Sequence, residues 1–268
     1  MNESQIQEES NRMSNSDLGE IEGLARRQLH LLYLLDVSGS MGELGKLAAL
    51  NDAMRTVQKM LRDEASRTDR QHAQMLVRVI TFSTGARWHL QAPTPIEEFQ
   101  EWESPEANGF TDLGQALELL AEAMKNDMPR RILPPCVVLI SDGQPTDNWQ
   151  DGMAALKQWQ GFDKIVRVAI ALGDDADKGV LAEFTGSMAS VLPAHNREEL
   201  ISLLKWASST ITSIASVGLP GSHSTQVGVT GETETVSSVL SNFPPLSSVE
   251  STGVDEHGPE GAADDTWW

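Results

Sequence analysis

The chain has 268 residues, 40% of them hydrophobic, and a formal net charge of −19. That length and apolar content allow one large core with tails or two small cores. The charge argues against a nucleic-acid or anionic-membrane surface, since both need clustered Lys and Arg. The single cysteine, Cys136, excludes an internal disulfide framework and a cysteine-based zinc site.

Residues 1–27 are polar, with neither a basic segment nor an apolar one of secretory type, and read as a loose N-terminal extension. No apolar stretch reaches the roughly 18 residues of a membrane span. A cytoplasmic protein is the expectation. From residue 28 strand-like and helix-like patterns alternate. "LHLLYLLD" (29–36) reads as a strand and 44–65 as an amphipathic helix. Strands follow at 75–83 and, short and alternating, at 86–91. A polar loop containing Trp102 leads to a helix over 112–126. Then come a strand at 136–142, a helix at 148–160, a strand at 164–173 and a short helix at 178–186. A weak strand (188–194) and a helix (196–215) capped by Asn196 complete the domain. Near-continuous apolar strands between amphipathic helices predict an α/β fold, a doubly wound and mostly parallel sheet covered on both faces. Residues 216–268, rich in Ser, Thr, Gly and Pro and lacking Lys and Arg, read as an acidic, disordered tail ending in Trp267 and Trp268.

In doubly wound sheets ligands bind beyond the carboxyl ends of the strands. Asp36 ends the first predicted strand and Asp142 ends another, so both face one crevice. "DVSGSM" places oxygen-bearing side chains at alternate positions, Asp36, Ser38 and Ser40, with no lysine of the phosphate-loop kind. Alone it reads equally as a capped turn or as ligands for a hard cation. "GFTDLGQAL" adds Thr111 in a Gly-flanked loop before a helix, and "LISDGQPTDNW" adds Asp142 at a strand end. Five oxygen ligands from three loops over one sheet edge resemble the metal-ion-dependent adhesion site of the von Willebrand factor type A domain.

The resemblance implies Mg2+ as cofactor, with Mn2+ a plausible substitute. Ser38 and Ser40 would ligate directly, Asp36 and Asp142 mostly through water, and Thr111 directly or through water. It also implies a partner protein that supplies an Asp or Glu to the ion: binding, not catalysis. "ISDGQPTDNWQDG" and "LLKWASSTIT" are similar to segments of the bacterial tellurium-resistance-associated TerY-like group, whose members lie near genes for a protein kinase and a PP2C-type phosphatase. A stress or defence assembly is the function implied. The alternative is a subunit serving a MoxR-type AAA+ ATPase in chaperone-like or metal-insertion work. The resemblance to the von Willebrand factor type A domain also implies that the last helix, 196–215, is a regulatory element that shifts when the metal site rearranges.

Four further residues stand near this constellation. Asp112 is expected in the first turn of its helix, where the dipole favours an acid, or bonded to a metal-bound water. Gly143 follows Asp142 at the strand end. Asp147 is expected to cap the following helix with Trp149 packed on it, or both rim the partner site. "GDDADKG" (173–179) lacks Ca2+-loop spacing and reads as a solvated loop and cap. His30 and His89 read as packed strand residues. Ser38 has no evident histidine partner, so no catalytic residue is assigned.

Overall fold

The computed structural model describes residues 28–67, 74–99, 102–128, 133–142 and 144–217. The expected N-terminal extension, the tail with Trp267 and Trp268, and Gly143 lie outside the described residues.

Among the described residues six strands form one mixed sheet in the order β3-β2-β1-β4-β5-β6. They are β1 (Gln28–Asp36), β2 (Gln74–Ser83), β3 (Gly85–Pro95), β4 (Cys136–Ser141), β5 (Val166–Leu172) and β6 (Val191–Ala194). Only β3 runs antiparallel, paired with β2; all other neighbours are parallel. The helices are α1 (Lys46–Arg67), α2 (Leu113–Asn126), α3 (Trp149–Lys157), α4 (Lys178–Thr185) and α5 (Arg197–Val217). The expected mixed α/β sheet with helices on both faces is therefore observed.

The strands alternate their side chains between two cores, as the two-residue period requires. Leu31, Tyr33, Leu35 and Val138 face a core closed by α1 and α5, through Leu50, Met54, Leu203 and Leu204. Leu32, Leu34, Phe82 and Leu139 face the other, closed by α2, α3 and α4 through Leu117, Leu120, Met153 and Phe184. Each fully buried side chain of this kind contributes about 1.5–3 kcal/mol. On the first face the Tyr33 hydroxyl lies 3.0 Å from that of Ser208, fastening α5 to the middle of the sheet. Asn196 Oδ1 accepts from Glu199 N at 2.8 Å, the cap expected for this helix.

Two local features shape the carboxyl edge of the sheet. The helix expected to begin at residue 44 begins at Lys46. A 3-10 turn, Gly39–Gly45, precedes it and leaves helical geometry at Glu43 and Leu44. Leu44 takes a left-handed φ of 51° and Gly45 one of 76°, so the chain bends before α1 starts. Behind the edge, α2 and α3 meet backbone to backbone. A Cβ on Gly152 would lie 2.3 Å from the Gly114 carbonyl oxygen, so only glycine fits there.

Candidate metal centre

β1 delivers Asp36 to the carboxyl edge because its apolar run, buried on both faces, ends there. Asp36 is fully buried. Its Oδ1 accepts from Ser38 N at 2.9 Å and its Oδ2 from Ser141 Oγ at 2.6 Å. Burial pushes its carboxyl up to about 6; the bonds from Ser141 and Ser38 oppose that rise, and the nearby Asp142 charge adds to it.

The turn after Asp36 lays two hydroxyls in a row. Ser38 Oγ lies 3.0 Å from Ser40 Oγ, and Ser40 Oγ donates to Asp142 Oδ1 at 2.8 Å. Two oxygens bound at right angles, each about 2.1 Å from Mg2+, stand about 3.0 Å apart. The Ser38–Ser40 and Ser40–Asp142 oxygen pairs are therefore each spaced like adjacent corners of an octahedron. Hydroxyl and single carboxylate oxygens also suit a hard ion that retains water. The residues present thus fit a Mg2+-type ion. Ser38, Ser40 and Asp142 would hold it directly, and Asp36, with both oxygens engaged, through water.

Thr111 comes from the facing loop. That loop is joined to the serine turn by Gly39 N to Gly109 O and Asn108 N to Val37 O, both 3.0 Å. Gly109 has φ 75°, and a Cβ on it would sit 2.3 Å from Thr84 Oγ1, so this approach requires glycine. Thr111 is buried, its amide donating to Thr146 Oγ1 at 2.9 Å and its carbonyl accepting from Thr146 N at 2.9 Å. The Thr111 loop and the loop after Asp142 are thereby joined. Phe110, beside Thr111, is 65% exposed at the mouth, and Leu44 is 57% exposed on the serine side.

The surrounding acids depart from expectation. Asp112 sits one residue before the first turn of α2 and does not cap it. Its Oδ2 accepts from Gly85 N at 2.8 Å and its Oδ1 from Thr146 Oγ1 at 3.1 Å, bracing the loops. Asp147 caps not the helix that follows it but α2, 33 residues back, accepting from Gly114 N and Gln115 N at 3.0 and 3.1 Å. The tight α2–α3 contact brings the head of α2 to it, which sequence neighbourhood could not indicate. Trp149 is buried in the α2–α3 core and is not a rim residue. In the 173–179 loop, Asp177 caps α4 through Gly179 N and Val180 N.

Sequence reasoning missed three residues. Ser141 and Thr146 stand inside the quoted segments and were not singled out. Lys46 carried no local signal. Its ammonium is 2.8 Å from Asp142 Oδ2 and 3.6 Å from Asp175 Oδ1, with the Lys46 side chain 4% exposed. Among the described residues no cluster of three or more His, Cys, Asp or Glu side chains is placed to hold a metal.

Residues 31–144 match the family described as von Willebrand factor type A domain. The fold of this region is of the von Willebrand factor type A kind. Solved structures share its fold. A von Willebrand factor type A protein from Catenulispora acidiphila aligns at 16% identity, covering 69% of this chain and 43% of that one, with a TM-score of 0.54. The pilus adhesin SpaC from Lactobacillus rhamnosus GG aligns at 12% identity over 72% of this chain and 31% of that one, TM-score 0.56. Proximal thread matrix protein 1 from the mussel byssus aligns at 20% identity over 68% and 47%, TM-score 0.50. That mussel protein has also been solved with a zinc-occupied MIDAS motif. The aligned region spans less than half of each of these chains. No curated protein matches the sequence. Among the described residues no helix of this domain is long and apolar enough to cross a membrane.

Proposed function

We propose that this von Willebrand factor type A domain is a Mg2+-dependent protein-binding module. The ion, held by Ser38, Ser40 and Asp142 with Thr111 and Asp36 beside them, accepts an Asp or Glu carboxylate from a partner. The observation that carries this reading is the Ser38–Ser40–Asp142 chain of oxygens at 3.0 and 2.8 Å at the carboxyl edge of the sheet. Two acids leave a divalent ion electrophilic, which favours an added carboxylate.

The protein acts by binding rather than catalysis. Of the described histidines, His30 has no hydrogen-bond partner, His89 packs at 4.5 Å against Trp102, and His195 faces Asp174 at 3.1 Å. None is positioned to activate Ser38. The TerY-like segments extend the reading to a cytoplasmic bacterial scaffold in a stress or defence system, its partner a Ser/Thr kinase or PP2C-type phosphatase.

Affinity capture from the native host's extract tests this, with wild type and Ser40→Ala, each in Mg2+ and in EDTA. Ser40 is half-buried, so its loss spares the core. A partner retained only by wild type in Mg2+ is the expected result. A partner set unchanged by both treatments overturns the proposal, and an AAA+ ATPase among metal-dependent partners redirects the pathway.

A further inference from the structure

An ammonium buried beside a cation site needs a reason, because it repels the ion the site would bind. Lys46 is the first residue of α1, placed there by the bend at Leu44–Gly45. Its ammonium takes Asp142 Oδ2 at 2.8 Å, while Asp142 Oδ1 remains on the serine row. The pair is enclosed, with exposures of 4% and 0%. Gly173, at φ 82°, closes over it at the end of β5, where an added Cβ would lie 3.5 Å from Nζ. Asp175, 71% exposed at 3.6 Å, is the second acid facing the ammonium. Simple stability is a poor reason for the arrangement, since a buried ion pair recovers little more than its desolvation cost.

We propose that Lys46 sets the charge of the metal site, so that the cation is held firmly only together with an external carboxylate. With Asp36 and Asp142 ionised, Lys46 reduces the side-chain charge around the ion from two negatives to one. Lys46 also withholds Oδ2, so Asp142 presents one oxygen instead of clamping the ion with two. A divalent cation at such a site keeps a net positive charge, and an incoming carboxylate neutralises it. Lys46 is therefore a positioning residue that makes metal and partner bind as a unit. This inference rests on the function proposed above.

Mn2+ binding to the full chain, followed by the loss of the free-ion electron paramagnetic resonance signal, tests it, with acetate as the carboxylate probe. Wild type is expected to bind Mn2+ weakly alone and about tenfold more tightly in saturating acetate, the scale of one short-range charge interaction. Lys46→Met is expected to bind Mn2+ alone about tenfold more tightly than wild type and to lose most of the acetate gain. Lys46→Arg, which keeps the charge, retains the wild-type acetate gain. Asp175→Asn, an exposed change, shifts affinity less than about twofold.

Lys46→Gln is one atom shorter, polar and uncharged, and it is read in the same way should Lys46→Met fail to fold. A folded Lys46→Met or Lys46→Gln protein that binds Mn2+ no more tightly than wild type overturns the inference and leaves Lys46 a scaffold residue. Wild type that binds no Mn2+ removable by Ser40→Ala overturns the metal reading itself, which separates the two failures.

Discussion

Strand β1 buries a titratable side chain near each end, His30 at one and Asp36 at the other, and surrounds them differently. Their even spacing puts both on the same face of the sheet. Burial drives each toward its neutral form. The His30 imidazole falls to about 4, through desolvation first and the Arg78 charge second, with Asp127 opposing. The Asp36 carboxyl rises to about 6. Yet Asp36 receives two aimed donors, and His30, 1% exposed, has no hydrogen-bond partner on either ring nitrogen among the described residues. His30 occupies its place as a packed, neutral ring beside Leu32 on the same face. Asp36 is held by donors that favour its charge, which a bound cation would restore. Burial alone marks neither as functional; the direction of the neighbouring donors distinguishes them.

The contrast breaks most visibly at Asp142. Asp142→Ala strands the Lys46 ammonium, and urea unfolding is expected to show a loss of about 3–5 kcal/mol. Adding Lys46→Met to that variant recovers most of the loss. A single-variant cost below about 1 kcal/mol would mean that the pair is solvated and the two ends of the strand are alike.

Acid titration sharpens the comparison. His30 has a lowered folded pKa, so its contribution to stability is present above the ordinary histidine value and is lost as pH falls through about 4. Asp36 has a raised folded pKa. Its contribution is full below the ordinary carboxylate value and is lost as pH rises through about 6. The two oppose each other in metal-free protein. His30→Leu is expected to remove up to about 3 kcal/mol of acid destabilisation between neutral pH and pH 4, leaving the Asp36 trend exposed. An unchanged pH profile would show that the imidazole is hydrated in solution.

Away from the strand, Asp147→Ala uncaps α2 and should cost about 1–2 kcal/mol by thermal unfolding. Phe110→Ser at the exposed mouth should shift stability by no more than about 0.5 kcal/mol while weakening capture of the Mg2+-dependent partner. A large stability loss there would place Phe110 in the core instead of on the rim.

Much of this was readable in the sequence because it is local. The apolar run 31–35, the alternating oxygens at 36, 38 and 40, and the strand-ending Asp142 each declare themselves within a few residues. The sheet and the site's edge follow from the alternation of elements. The bend at Leu44–Gly45 was not visible, since Leu44 continues the helical apolar pattern while its backbone departs from it. Lys46 carries no signal of its own inside the helix expected over 44–65; its partner lies 96 residues away. Asp147 was read as a cap for its nearest helix, whereas the two glycines that let α3 touch α2 gave it a different one. What the sequence concealed are polar pairings set by packing, in which one partner gives no hint of the other.

The contact of Gly152 with Gly114 has a mechanical consequence for the metal site. At that point the two helix backbones touch with no side chain between them. α2 carries Thr111 at its head and α3 continues the loop after Asp142, while Thr146 and Asp147 bolt the two loops together. Thr111 and the 144–148 segment therefore move as one jaw. The opposite jaw, Ser38 to Ser40, hangs from β1 on one side and from the Leu44–Gly45 bend on the other. The Gly39–Gly109 and Val37–Asn108 hydrogen bonds tie that jaw to the Thr111 loop, so the serine row and the threonine are set against each other by backbone alone.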